Sequence, residues 1–483
     1  MEAIDLCWIE QEFGNISFKD MRLVKRFKYI FKKFMQQAQS NISSSFESWS
    51  SIKACYRFFS NKKVKASTIL GDHITSTIDN RIAHENEKIL VIHDTTYIDY
   101  KKRVKTDSLD RVFRAQKGKD GSLGLILHNS LALNESGVPL GLLNQKFVRR
   151  KTINHPERGM LTKQYAHTKP IQEKESYRWI EAIRDINNLN IVDKEMVHIA
   201  DREADIYELY KYCDEQNIKF LIRAKENRAI NKKKRREKPK YKLFDYFRSL
   251  PEMLTISIKF QINQDAKYRE AILSISFAEF TLPPPPDRTC NKDGKELPNL
   301  KLWGIIVKEN NPPENEEAIN WLLITNIKVN TTGEAIEKVG WYNRRWNIEI
   351  FHKILKSGCS IEAAQLRERE RLIKYITTKS IVAWRIFWLS RKFTNDQNAS
   401  CSQVLTPLEQ KLLFKRFNNS DAPPKELSAK EAIKLIAKLG GYIGRNRDHP
   451  PGIISLWRGW TRLMNMVNDY KILVGVEAME ICG

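Results

Sequence analysis

Apolar positions along this chain change period several times, and each change marks a new element. Leu23, Phe27, Ile30, Phe31 and Phe34 recur at helical spacing and predict one buried face. Ser17-Phe18-Lys19-Asp20 resembles a capping box that starts this helix. A second helical stretch runs through Trp49, Ile52, Tyr56 and Phe59. The pattern then turns to strands. KILVIHDTTYIDY opens on apolar β-formers; LGLILHNSLAL and PLGLLNQKFV follow, joined by the turn Asn134-Glu135-Ser136-Gly137. Lys174 to Ile186 is helical in pattern, MVHIADREADI sets a short buried strand before an acidic cluster and a helix, and IKFLIRA is another strand. A meander followed by helix, strand, helix and strand predicts a mixed α/β sheet.

Residues 231–320 break this pattern with a basic run (NKKKRREKPKYK), alternating strands (LTISIKFQI, REAILSISFAEF), the rigid Pro283-Pro284-Pro285-Pro286 and a further strand, KLWGIIVKE. They predict a mostly β insertion into the α/β core, with WLLITNIKV rejoining it. The last third is helical: Thr406-Pro407-Leu408-Glu409 and Ser428-Ala429-Lys430-Glu431 are capping boxes, and Gly440-Gly441 stops the second of these helices. The expected organisation is a helical part at 1–70, an α/β unit at 71–375 with the insertion at 231–320, and a helical part at 376–483.

Charge narrows the partners. Lys and Arg number 82 against 58 Asp and Glu, a net +24, and such a field attracts polyanions, nucleic acid first. Arg22, Lys25, Arg26, Lys28, Lys32 and Lys33 share the polar side of the first helix, and Lys53 and Arg57 that of the second, a placement suited to DNA backbone contact. Seven scattered cysteines without a CxxC argue for a reducing compartment and against structural zinc. MEAIDLCWIEQEF has no signal-peptide pattern, and the apolar stretch from Leu372 to Leu389 is interrupted by Lys374, Lys379 and Arg385, so a soluble, cytoplasmic protein without membrane partners is expected. No GxxxxGK[ST], HExxH or GxSxG is present.

Three acidic positions stand out. Asp94 follows Ile89-Leu90-Val91-Ile92, and Asp201 follows Val197-His198-Ile199-Ala200. A carboxylate at the end of a buried strand faces the crevice where α/β sheets place their sites, although each alone also reads as a strand-end or N-cap residue. In WYNRRWNIEIFHKILK, with Tyr342 at zero and 100° per residue, Arg345, Glu349 and Lys356 fall within a stripe about 60° wide, with Lys353 beside it. Apolar residues flank the stripe on both sides, so its charges are partly enclosed and need partners: each other, metal or phosphate. A surface ladder pairing Arg345 with Glu349 is the plainer alternative. His93 and His198 read as core residues or supports rather than ligands.

These residues carry a resemblance. Tyr342, Arg345, Glu349 and Lys356 reproduce the Tyr-(2)-Arg-(3)-Glu-(6)-Lys signature of the "IS four" group of DDE transposases from bacterial insertion sequences. Asp201-Arg202-Glu203-Ala204-Asp205 and His93-Asp94-Thr95-Thr96 are similar to the blocks holding that family's two catalytic aspartates. Tyr56-Arg57-Phe58, Glu173-Lys174-Glu175-Ser176 with Trp179, Trp321-Leu322-Leu323, and Leu439-Gly440-Gly441 with Trp457 and Trp460 extend the likeness in order along most of the chain. The resemblance implies an RNase H-like core with a β insertion, N-terminal helices that bind transposon-end DNA through residues such as Arg22, Lys25, Arg26 and Arg57, and C-terminal helices that form a homodimer. It implies that Asp94, Asp201 and Glu349 hold two Mg²⁺ or Mn²⁺ ions for cleavage and joining of double-stranded DNA at inverted repeats and target. Arg345, Lys353 and Lys356 would then grip phosphate, with Arg223, Tyr342 and Trp321 at a flipped base and a hairpin intermediate. On the residues alone, Trp321 reads also as strand core. A non-catalytic DNA-binding inhibitor or repressor, and an RNase H-fold nuclease acting on RNA or junctions, are the alternatives to an active cut-and-paste transposase.

Overall fold

A computed structural model describes residues 3–100, 109–112, 122–149, 170–191, 193–231, 241–261, 268–286, 296–314, 316–395, 399–403, 405–418, 427–445 and 451–474. The N-terminal part folds as α1 (Ala3–Phe13), α2 (Met21–Gln36), α3 (Ile42–Ser45), α4 (Trp49–Ser60) and α5 (Ala66–Asn80). Two expectations change here. α2 is capped by Asp20, whose side chain accepts the Arg22 N–H, and not by Ser17, because Lys19 at φ 59° turns the chain just before the helix. Trp49 is 67% exposed; α4 buries Phe59 as expected, together with Cys55 and Phe58.

The meander forms β1 (Ile89–Asp99), β2 (Leu123–Leu133) and β3 (Pro139–Val148), turned by Gly137 at φ +91°. Helix α6 (Tyr177–Asn187) leads to β4 (Met196–Ala200), and α7 (Tyr207–Glu215) to β5 (Lys219–Arg223); both strands run parallel to β1. The order β3-β2-β1-β4-β5 is the RNase H-like core expected.

The insertion is not a separate body. Helix α8 (Leu243–Arg248) precedes β6 (Leu254–Gln261), β7 (Tyr268–Leu282) and β8 (Leu300–Asn310), and β9 (Asn320–Thr325) pairs antiparallel with β5, so one sheet continues β5-β9-β8-β7-β6. An unpaired β5 edge would leave backbone groups without partners, and β9 buries Leu322 and Ile324 on one face and Leu323 on the other, which suits an interior strand. The basic run expected in this region lies mostly at 232–240, outside the described residues.

The chain continues through α9 (Thr332–Asn343), α10 (Trp346–Lys353), α11 (Arg369–Asn395), α12 (Pro407–Asn418), α13 (Ala429–Leu439) and α14 (Ile453–Val474). One sheet face carries Leu90, Ile92, Val197, Ile199 and Leu323 against α9, α10, α11 and the N-terminal helices; the other carries Phe220, Ile222 and Ile324 against α6, α7 and α8. Helix α11 runs through the expected boundary at 375. Two of its lysines have work there: Lys374 Nζ donates to Phe59 O and Asn61 O at 3.1 and 2.9 Å, and Lys379 Nζ to Ala38 O and Ser40 O at 2.9 and 3.1 Å. Lys374 thus caps the C-terminal end of α4, and Lys379 holds the turn between α2 and α3. Burial pushes the Lys379 ammonium down to about 8. No helix among the described residues is long and apolar enough to cross a membrane.

Candidate active site

Strand register brings the two aspartates together. β1 and β4 pair Ile92 with Ile199, so two residues further along each strand Asp94 and Asp201 stand side by side on the same face. That face is also the one over which α10 packs. Asp201 additionally caps a short 3₁₀ turn, accepting the Glu203 N–H at 2.9 Å, so its N-cap reading holds beside its place next to Asp94.

The helix carrying Glu349 is not continuous, contrary to the even 100° count. α9 stops at Asn343, Arg344 and Arg345 form a tighter turn with Arg345 N–H bonded to Tyr342 O, and α10 starts at Trp346. Arg344, at the break, turns aside to donate from Nε to Glu135 O at 3.2 Å. The stripe survives because the break shifts it by only a turn of i,i+3 bonding. Arg345 lies 5.8 Å over the Tyr342 ring and donates from Nη2 to Glu349 Oε1 at 2.7 Å. Lys356 follows in a π-turn, Ile354–Gly358, and Lys353 ends α10.

The carboxylates feel one another. Burial pushes Asp201 up, and Asp94 adds to this, while the Glu203 N–H and Arg345 oppose it. Burial likewise raises Glu349 against the pull of Arg345, with Asp94 and Asp201 both adding to the rise. For Asp94, burial raises the carboxyl but His352, Arg345 and the Thr95 N–H outweigh it, so the net shift is downward. Three enclosed carboxylates that repel one another call for a shared cation, and an all-oxygen donor set fits a hard divalent ion. Among the described residues no three His, Cys, Asp or Glu side chains already converge at ligand spacing; Glu349 is engaged by Arg345 instead. Burial lowers Lys356, with Glu362, Asp94 and Asp99 drawing it back up.

Beside this cleft, Arg223, Trp321 and Tyr342 come together. Trp321 meets the Tyr342 ring edge-on at 5.0 Å, and Arg223, whose guanidinium is lowered by burial and supported by the Tyr342 hydroxyl, donates to Asn320 O at 3.1 Å. Trp321 is only part-buried, so its face is not sealed within the strand core. Arg22, Lys25, Arg26 and Arg57 are all exposed, although Arg22 is paired with Asp20 at 3.2 Å. Lys28 and Lys33 leave the basic face, because Glu10 of α1 and Glu47, in the bend between α3 and α4, pair with them.

Further polar groups surround the carboxylates: His93 and His198, expected as core residues or supports, and Arg178, His352 and Asn129, which the sequence reading did not single out. His93 Nε2 meets His198 Nδ1 at 2.8 Å behind the sheet, and Arg178 bridges Thr95 Oγ1 (3.0 Å) and Glu203 Oε2 (2.6 Å). His352 stands 3.5 Å from Asp94 and beside Asn129. The signals were present: His128-Asn129-Ser130 is a polar triplet inside an apolar strand, and His352 falls about 280° round the helix, next to Arg345.

Family models described as transposase DNA-binding, transposase DDE domain and transposase Tn5 dimerisation domain match residues 6–64, 157–385 and 381–473. Arg22, Lys25, Arg26 and Arg57 fall in the first, and Asp201, Arg223, Trp321 and the Tyr342–Lys356 stripe in the second. Asp94 lies before the second span, so its place in the site rests on register and electrostatics.

Proposed function

Because the chain belongs to the Tn5-like DDE transposases, we propose that it is an active cut-and-paste enzyme in which Asp94, Asp201 and Glu349 hold two Mg²⁺ or Mn²⁺ ions. The observation that carries this reading is the placement of three part-buried carboxylates together, from the ends of two paired strands and a helix far apart in sequence. Divalent ions held there supply Lewis acidity at the scissile phosphate and at the attacking oxygen.

The chain's own residues do the rest. Arg345 and Lys356 bracket the carboxylates and grip the phosphates on either side of the cut, Arg by its fork and Lys as a point charge, with Lys353 alongside. Arg223, Tyr342 and Trp321 form a platform of aromatic faces and one guanidinium, suited to an extruded base at the transposon end; stacking there contributes roughly 1–3 kcal/mol. Such extrusion accompanies the hairpin intermediate we assign to this enzyme. The exposed basic residues of α2 and α4 read the backbone of the inverted repeat, a second copy of the chain completes the assembly through the C-terminal helices, and the enzyme works on cytoplasmic, nucleoid DNA.

Asp94→Ala, Asp201→Ala and Glu349→Ala should each abolish strand cleavage in Mg²⁺ while end-DNA binding stays close to wild type. A variant that still cleaves at near wild-type rate removes its residue from the triad. A wild-type chain that binds ends yet nicks nothing in Mg²⁺ or Mn²⁺ would establish the inhibitor or repressor reading instead.

A further inference from the structure

We propose that His352 is a positioning residue for Asp94, oriented by a hydrogen-bond chain of fixed direction that begins on α11. The proposal rests on the reading of Asp94 as a metal ligand. Register sets the geometry: Gln145, Asn129 and Asp94 are cross-strand partners on β3, β2 and β1, so their side chains form one row across one sheet face. His352 reaches this row from α10, with Nε2 at 3.0 Å from Asn129 Nδ2 and Nδ1 at 3.5 Å from Asp94 Oδ2.

The contacts that make up the chain run in one direction. Ser380 Oγ donates to Ile376 O at 2.8 Å inside α11, and accepts from Gln145 Nε2 at 2.8 Å. Gln145 Nε2 gives its other hydrogen to Asn129 Oδ1 at 3.0 Å. That leaves Asn129 Nδ2 facing the imidazole, and an amide nitrogen only donates. His352 Nε2 therefore accepts, and the ring hydrogen sits on Nδ1, aimed at Asp94. Asn129 and Ser380 are fully buried and His352 nearly so, which holds this arrangement in place. An aspartate's terminal torsion is otherwise broad, and a fixed imidazole 3.5 Å from Oδ2 narrows that freedom.

Losing an outer partner of this kind typically weakens metal affinity or activity 10- to 100-fold. The test is Mn²⁺ binding to the full chain, read from the electron-paramagnetic signal of free Mn²⁺, with end-DNA binding in the absence of metal as a control. His352→Asn places an amide N–H where Nδ1 stands; His352→Gln places it where Nε2 stands; His352→Leu removes both. We expect His352→Asn to bind Mn²⁺ within about threefold of wild type, and His352→Gln and His352→Leu to bind roughly 10- to 100-fold more weakly, all with unchanged end binding. Asn129→Leu, which frees the tautomer, should fall between. If Asn and Gln at 352 behave alike, whether both tight or both weak, the directed N–H is not the role and the proposal fails; this polar pair decides even if the Leu variant folds poorly. Asp94→Asn separates the two readings: wild-type Mn²⁺ affinity in that variant would overturn the metal site itself, whereas its loss beside an indifferent His352 would overturn only the positioning role.

Discussion

Replacing Glu12 by Gln tests how the N-terminal helices are fixed to the core that carries the site. Glu12, near the end of α1, is 2% exposed. Arg81 donates to it from Nη1 and Nη2 at 2.8 and 3.2 Å and Ser76 Oγ at 3.1 Å, and His73 Nδ1 contacts its other side. His73 Nε2 accepts the Leu142 N–H of β3 at 3.0 Å, so its hydrogen sits on Nδ1 and faces Glu12. Burial alone would raise the Glu12 carboxyl; His73 and Arg81 outweigh it and hold the group at about 2 against an ordinary 4.5. The difference, 4.5 − 2, is about 2.5 units, or about 3 kcal/mol of stabilisation at neutral pH. Gln keeps the shape and removes the charge, leaving the Arg81 guanidinium 4.4 Å over the Trp384 ring without its counter-ion. Amide exchange in α1 and α5, followed by mass spectrometry, should accelerate about 300-fold at pH 7, because protection there reports the local opening free energy. A depressed carboxyl contributes fully above the unfolded value and loses that contribution as pH falls through the folded one, so the gap should shrink to about 30-fold at pH 3.5 and close near pH 2. A gap below tenfold at pH 7, or one that does not change with pH, would refute the reasoning.

Trp321→Ala should impair hairpin formation more than first-strand nicking, since nicking acts at one phosphate whereas closure needs a distorted end whose unstacking costs a few kcal/mol. Equal losses in a strand-resolved cleavage assay would make Trp321 a core residue. Gly459→Ala would set a Cβ 1.7 Å from Ile436 O, where α14 crosses α13, and backbone there has no room to yield. Overpacking of this kind costs about 1–3 kcal/mol, so the C-terminal helices should part and the dimer weaken in sedimentation; an unchanged dimer with unchanged melting would count against close backbone packing at that crossing.

What the sequence made legible follows the range of the interactions involved. Strand runs such as Ile89–Asp99 and Leu300–Asn310 were readable because burial dictates their residues locally. So were the caps whose partners lie within a turn: Thr406 with Glu409, Ser428 with Glu431 and the stop at Gly440 all form. Even locally, the capping box read at Ser17 to Asp20 placed the cap three residues early, because a left-handed Lys19 shifts it to Asp20 and no side-chain pattern announces that turn. Longer-range pairing was invisible. Glu10 and Glu47 draw Lys28 and Lys33 off the basic face, and although WLLITNIKV was expected to rejoin the core, its partner β5, a hundred residues away, was not read, nor that the insertion extends the same sheet.

The site itself sits between these cases. The three carboxylates proposed for it stand out in the sequence because each occupies a position where local structure makes charge costly: two strand ends and a stripe flanked by apolar residues. A polar group in such a place is either badly satisfied or held by something, and that inequality is readable without coordinates. What holds each one is a different matter. Asp94 answers to His352, Asn129, Gln145 and Ser380, which come from four elements spread over 129–380 and have no pattern in common; only the register of β1, β2 and β3 puts three of the side chains concerned in a row. The carboxylates can therefore be found from composition and spacing, whereas their orientation is a property of the sheet, which is why variants at the supports, rather than at the carboxylates, are the sharper test of this fold as a catalyst.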